Sequence, residues 1–183
     1  LRLNPRGFGN WGRALAGNAA VSFMTNTNWQ VYSGESTLSY LSQMAGLGWH
    51  MFVSAGAAIA IAIALMRALA RRSASTIGNF WVDLTRTVLY VLLPIAVVGS
   101  LLLIWQGVPQ NFAAYTTATT VEGAKQSIPQ GPMASMEIIK ELGTNGGGFV
   151  NANSASPWEN PTGLSNLLEL VCIFLIGGAL TYT

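Results

Sequence analysis

Charge is scarce in this chain of 183 residues: only 9% are Asp, Glu, Lys or Arg, while 51% are hydrophobic. Ordinary soluble domains carry roughly 25% charged residues, so this is the composition of a membrane protein. The formal net charge of +2, with no basic run interleaved with aromatics, argues against a nucleic-acid surface. A single cysteine, Cys172, excludes an intramolecular disulfide framework and a cysteine-based zinc cluster. It lies in an apolar run, where packing is the expected role. The single histidine, His50, has no partner cysteine or carboxylate beside it and reads as interfacial rather than as a metal ligand. No signal-peptide core opens the chain, which begins at Leu1 and stops inside a hydrophobic run, as a piece of a longer protein would.

What is present is organised around Gly143, Thr144, Asn145, Gly146, Gly147, Gly148 and Phe149. Consecutive glycines let a backbone turn several carbonyl oxygens toward one point at little steric cost, which is how a loop replaces the water shell of a cation. Glycine triplets also mark loops that are merely flexible. A phosphate cradle is the third possibility, but no Gly-Lys-Ser/Thr follows and there is no soluble nucleotide domain.

Hydropathy divides the chain into segments. Residues 1–12, rich in Gly, Pro, Asn and Arg, form an extracytoplasmic loop. Residues 13–35 hold a helical stretch too short to cross a bilayer core, which needs about 20 residues, followed by the polar run Thr25, Asn26, Thr27, Asn28, Trp29 and Gln30. Residues 36–70 contain a spanning helix uncharged from Met51 to Met66, and residues 71–83 a connection flanked by Arg67, Arg71, Arg72 and Arg86, placed in the cytoplasm by the positive-inside rule. Arg2, Arg6 and Arg13 lie on the opposite side and pull the other way. Residues 84–106 form the second span, with Pro94 as an expected kink and Trp105 as an interfacial anchor. Residues 107–132 are the next extracytoplasmic loop, 133–163 a second short helix with the glycine loop, and 164–183 a third span interrupted by Glu169. An ionisable group at that depth is expected to face protein or a water-filled cavity.

The order short helix, Thr-Asn loop, polar exit, spanning helix occurs twice, with Thr25-Asn26 aligned on Thr144-Asn145. Two crossings separate the copies, so both loops enter from the same face. Such an arrangement excludes an inverted repeat within this segment and favours units set around an axis along the membrane normal, the geometry of a pore. Neither loop contains Asp or Glu. The ligands on offer are backbone carbonyls, Thr hydroxyls and the amides of Asn26, Asn28, Asn145 and Gln30, all neutral, and half-helices ending at the loops add negative potential. Neutral oxygens suit a weakly hydrated monovalent cation, and potassium is the natural candidate.

Phe23-Met-Thr-Asn-Thr-Asn-Trp-Gln-Val-Tyr-Ser-Gly-Glu35, Trp81-Val-Asp-Leu84, Leu142-Gly-Thr-Asn-Gly-Gly-Gly-Phe149 and Asn151-Ala-Asn-Ser154 together resemble the KdpA family, the potassium-binding subunits of potassium-transporting ATPases. The resemblance covers essentially the whole chain; Val150 departs from the commoner Phe after Phe149, outside the filter core. It implies an all-α, polytopic membrane protein with the re-entrant pore-helix and filter-loop repeats of the potassium-transporter superfamily, four units around one filter, of which this chain holds the first two. It further implies the potassium-binding, non-catalytic subunit of an ATP-driven uptake pump in the bacterial plasma (inner) membrane. The partners would be a KdpB-like subunit that hydrolyses ATP, a KdpC-like subunit and a KdpF-like small peptide. The potassium ion is cargo, and no organic cofactor is implied. By matching positions, Asn26 and Thr144 contribute to the central potassium site, while Thr25, Thr27, Asn28, Gln30, Asn145 and Gly146 to Gly148 complete or shape the filter. A passive potassium channel, or the pore subunit of a Trk/Ktr-like transporter, is the alternative.

Overall fold

A computed structural model describes residues 3–71, 73 and 76–182. Three continuous helical stretches are long and apolar enough to cross a membrane: Ser42–Ala70, Phe80–Gln106 and Gly163–Tyr182. At about 1.5 Å per residue each reaches or exceeds a hydrocarbon core of about 30 Å. The first consists of wide π-type turns over Ser42–Gly48 running into α3, Trp49–Ala70. The second begins as α4, Phe80–Arg86, widens into π turns over Thr87–Leu92 and continues as α5, Leu93–Gln106. The third is α7, Gly163–Tyr182. Pro94 accounts for the widening in the second stretch. It has no N–H to offer the carbonyl four residues back, and the wide turns fall where that bond is missing.

Two shorter helices precede the first and the third spans, α1 (Arg13–Met24) and α6 (Met133–Leu142), with a single helical turn α2 (Gly34–Thr37) after the first of them. The core gathers on α6, which packs against α5, α7 and α3. Met133, Ala134, Ile138 and Leu142 are fully or almost fully buried there, beside Leu92, Ala96 and Leu103 from the second span. Gly99 permits the approach of α5 to α6: a Cβ at that position would lie 2.9 Å from Ile138 Cδ1 and 3.2 Å from both Ile138 Cγ atoms.

At the far end of the molecule, Asn79 caps α4 by accepting from Trp81 N at 3.0 Å and Val82 N at 3.3 Å. Arg67 grips Asp83 through both guanidinium nitrogens, Nη2 donating to Oδ1 at 3.0 Å, and so ties the end of α3 to the start of α4. Arg2 on one side, and Arg72 and Ser75 in the connection between these helices, lie outside the described residues. The loop between α5 and α6 is not wholly irregular. A hairpin of β1 (Thr116–Thr119) and β2 (Lys125–Ile128) pairs antiparallel with Thr117 opposite Ser127, and Gly123 turns it at φ +83°. The all-α, polytopic expectation holds, and this short hairpin is the one departure from it among the described residues. The Thr-rich run, β-branched and outside the apolar layer, pairs as strands instead.

Candidate ion-binding site

The helices α1 and α6 both run their C-terminal ends into the two polar loops, and they end alike. Thr25 and Gly143 close the helices near φ −88° and −77°. Next come left-handed residues, Asn26 (φ +62°) and Asn28 (φ +53°) in the first loop, Thr144 (φ +52°) and Gly146 (φ +79°) in the second. Thr27 N reaches back to Ser22 O at 3.0 Å as Asn145 N does to Lys140 O at 3.3 Å. The shared pattern sets Asn26 against Thr144 and Asn28 against Gly146. It shifts by one residue the pairing of Thr25-Asn26 with Thr144-Asn145 expected from letter identity. Backbone shape rather than side-chain type fixes the register, because three different residue types occupy the left-handed positions.

The same offset appears in space: Gln30 Nε2 donates to Gly148 O at 2.8 Å, and Gly148 N donates to Gln30 Oε1 at 3.1 Å, across 118 residues. Asn26 Nδ2 donates to Gly143 O at 3.3 Å, and Asn26 Oδ1 accepts from Ser54 Oγ on α3 at 2.8 Å. Asn145 bridges Met51 O, at 3.3 Å, and Gly147 N, at 3.2 Å. Three of the four amides that the sequence offers as ion ligands thus build the scaffold between the loops and α3. An amide oxygen keeps a second lone pair, so this bonding fixes where Asn26 and Asn145 would present oxygen. Asn28 is the exception: it is buried against the backbone of Gly147 with neither amide atom partnered among the described residues. Thr25 Oγ1 donates to the carbonyls of Val21 or Ser22 at 3.0 and 3.1 Å and lies 3.0 Å from Thr27 Oγ1. Thr144 and Gly146 are exposed. Among the described residues, no hydrogen bond ends on the backbone carbonyls of Asn26, Thr27, Thr144, Asn145 or Gly146. Side-chain amides hold the loops, and main-chain oxygens are left over.

The two glycines at the centre of the second loop are needed for different reasons. Gly146 occupies the left-handed region with open space around it; Gly147 is crowded, and a Cβ there would lie 2.9 Å from Asn28 Cβ and 3.1 Å from Phe23 Cε1. A Cβ at Gly148 would meet Asn153 Oδ1 more closely still.

Behind the second loop lies a charged cluster that its sequence pattern does not reveal. Glu137, Lys140 and Glu141 look like the polar face of α6, yet all three are buried. Lys140 Nζ sits 2.6 Å from Glu137 Oε1, 3.2 Å from Glu141 Oε1 and 2.8 Å from Ser154 Oγ. Glu169, the charge within α7, faces protein, its carboxylate within 4.8 Å of those of Glu137 and Glu141. Glu159 accepts from Val150 N at 2.9 Å; burial, and next the Glu137 charge, push its carboxyl up to about 8. The loop after Phe149 is anchored to α6 by the hydrogen bonds of Ser154 with Lys140, Glu137 and Glu141.

The chain has been compared with known proteins. It is 61% identical over its full length to the potassium-transporting ATPase potassium-binding subunit of Rhodospirillum centenum, of which it covers 32%. Identity to the subunits of the same name is 58% in Solibacter usitatus and 60% in Paramagnetospirillum magneticum, again over the whole of this chain. The chain thus spans about a third of the length of the curated relatives it matches. The family model described as the potassium-transporting ATPase A subunit, KdpA, matches residues 1–183, and with every residue included the chain belongs to that family.

Proposed function

We propose that this chain is part of the potassium-binding subunit of an ATP-driven potassium uptake pump, multi-pass in the bacterial inner membrane. Its two loops would be two of the four units of one selectivity filter. The observation that carries the reading is the pair of helix C-termini ending in loops of the same backbone pattern, hydrogen-bonded to each other across 118 residues. Helix C-termini carry partial negative charge, and the unpaired carbonyls are the neutral oxygens a weakly hydrated monovalent cation takes. The left-handed positions of Asn26 and Thr144 support a shared role at the central potassium site. The names of the relatives support potassium as the ion.

The chain itself would be non-catalytic. A KdpB-like subunit hydrolyses ATP and receives the ion through an intramembrane tunnel, with KdpC-like and KdpF-like subunits completing the complex. Potassium binding with sodium competition, measured on the intact complex, tests the ion. Preference for potassium over sodium is expected, and equal affinities sink the reading. Coupling is tested by ATP hydrolysis, which should lose its dependence on external potassium when this subunit is deleted.

A further inference from the structure

Beyond the Gln30–Gly148 and Asn26–Gly143 hydrogen bonds and the packing of Asn28 on Gly147, the two loops also meet at their exits. Glu35, in the turn α2, accepts from Asn151 N at 3.0 Å through its carboxylate oxygen Oε2. This contact lies just outside the stretch where an ion would be held, and it joins the exit of one loop to the exit of the other. Glu35 is itself held from the opposite side, where Tyr115 Oη donates to the Glu35 backbone carbonyl at 2.7 Å. Tyr115 stacks on Tyr40 with ring centroids 6.2 Å apart and lies under the Arg6 guanidinium at 5.1 Å. Tyr40 in turn donates to Ala113 O at 2.7 Å and lies 6.0 Å from the Phe149 ring. The extracytoplasmic loop thus holds Glu35, and Glu35 holds the exit of the glycine loop.

We propose that Glu35 is a positioning residue for ion selectivity: its carboxylate sets the separation of the two loop exits, and hence the arrangement of the carbonyl oxygens below them. This rests on the potassium-filter reading above. A carbonyl site discriminates between ions by the number and placement of its oxygens. Glu159 holds Val150 N and Phe149 is buried beside Tyr40, which ties this segment to its own side of the molecule; its spacing from the first loop is set by two rungs, Gln30–Gly148 and Glu35–Asn151. The rival role for a carboxylate at this place is electrostatic, drawing cations toward the mouth whatever its hydrogen bonds.

Two substitutions in the intact complex separate these roles. Glu35→Gln keeps the length and an acceptor oxygen for Asn151 N but loses the charge; Glu35→Asp keeps the charge but falls short by one methylene. Potassium binding with sodium competition is the readout, alongside yield of assembled complex. Positioning predicts that Glu35→Gln retains the wild-type preference and Glu35→Asp lowers it roughly tenfold, since discrimination follows oxygen placement. The reverse order, or no change in either variant, overturns the proposal. Should Glu35→Asp fail to assemble, Tyr115→Phe, which frees the Glu35 backbone and leaves its carboxylate in place, carries the test: a several-fold fall in preference is expected, and an unchanged one overturns it. A wild-type complex without preference for potassium would sink the filter reading itself, whereas wild-type preference with unaltered variants sinks only the role of Glu35.

Discussion

At the scale of the residue, Gly147 and Lys140 carry the sharpest consequences. Gly147 needs no unusual backbone conformation, and its demand is for space beside Asn28 and Phe23. An added methyl in a packed site costs about 1–3 kcal/mol, and here the atoms that must move belong to the scaffold of the first loop. Gly147→Ala should therefore weaken potassium binding and reduce sodium rejection in the intact complex more than it lowers thermal stability; wild-type affinity and selectivity in an assembled variant would reduce the loop to a flexible connection. Gly9 has open space and no left-handed φ, and Gly9→Ala should be neutral. Lys140 is the ammonium among buried carboxylates, and removing one partner of such a cluster costs about 3–5 kcal/mol. Lys140→Met should accordingly lower the thermal midpoint of the complex sharply. A melting curve like that of the wild type would show that the carboxylates are neutralised some other way.

At the scale of the element, the approach of α5 to α6 sets where the second loop starts. Gly99→Ala places a methyl against Ile138, whose branched Cγ atoms cannot both retreat, and should destabilise by about 1–3 kcal/mol. Combining it with Ile138→Ala should cost less than the two separate losses added together; strict additivity, measured by thermal or denaturant melts, would mean the helices do not meet there. The spans were legible in the sequence because uncharged apolar runs of sufficient length have few other uses. The short helices were legible because ten or so apolar-patterned residues beside a polar loop cannot cross. The loop register was not, since left-handed φ at Asn26, Asn28, Thr144 and Gly146 is a backbone property that four positions of three residue types share. Nor was the burial of Glu137, Lys140 and Glu141: a charged helix face reads as solvated until Ser154 and Glu169, distant in sequence, fold over it. The hairpin was not legible because its strands, Thr-rich β1 and the polar β2, are short and mostly exposed, without an apolar alternation.

At the scale of the whole molecule, the orientation in the membrane decides which way ions enter. Two helical stretches long and apolar enough to cross a membrane separate the loops; with both crossing, the chain returns to its starting face and both loops would open to one side. The hairpin and Tyr115 lie beside the loop exits, and Arg67, Arg71 and Asp83 gather where α3 meets α4. The positive-inside rule assigns the arginine end to the cytoplasm; under the proposed function the hairpin end is then the side from which potassium would arrive. With Cys172 first replaced, a cysteine at Thr117 in the hairpin should react with an impermeant thiol reagent added outside intact cells. One at Ser73, exposed between α3 and α4, should react only after the membrane is opened. Arg6 and Arg13 oppose this orientation, but Arg6 is engaged with Ser127 and the Phe8 and Tyr115 rings, so its charge is bound up in the loop that carries the hairpin. Labelling in the reverse order would turn the molecule over, and a filter that opens to the cytoplasm could not take up external potassium.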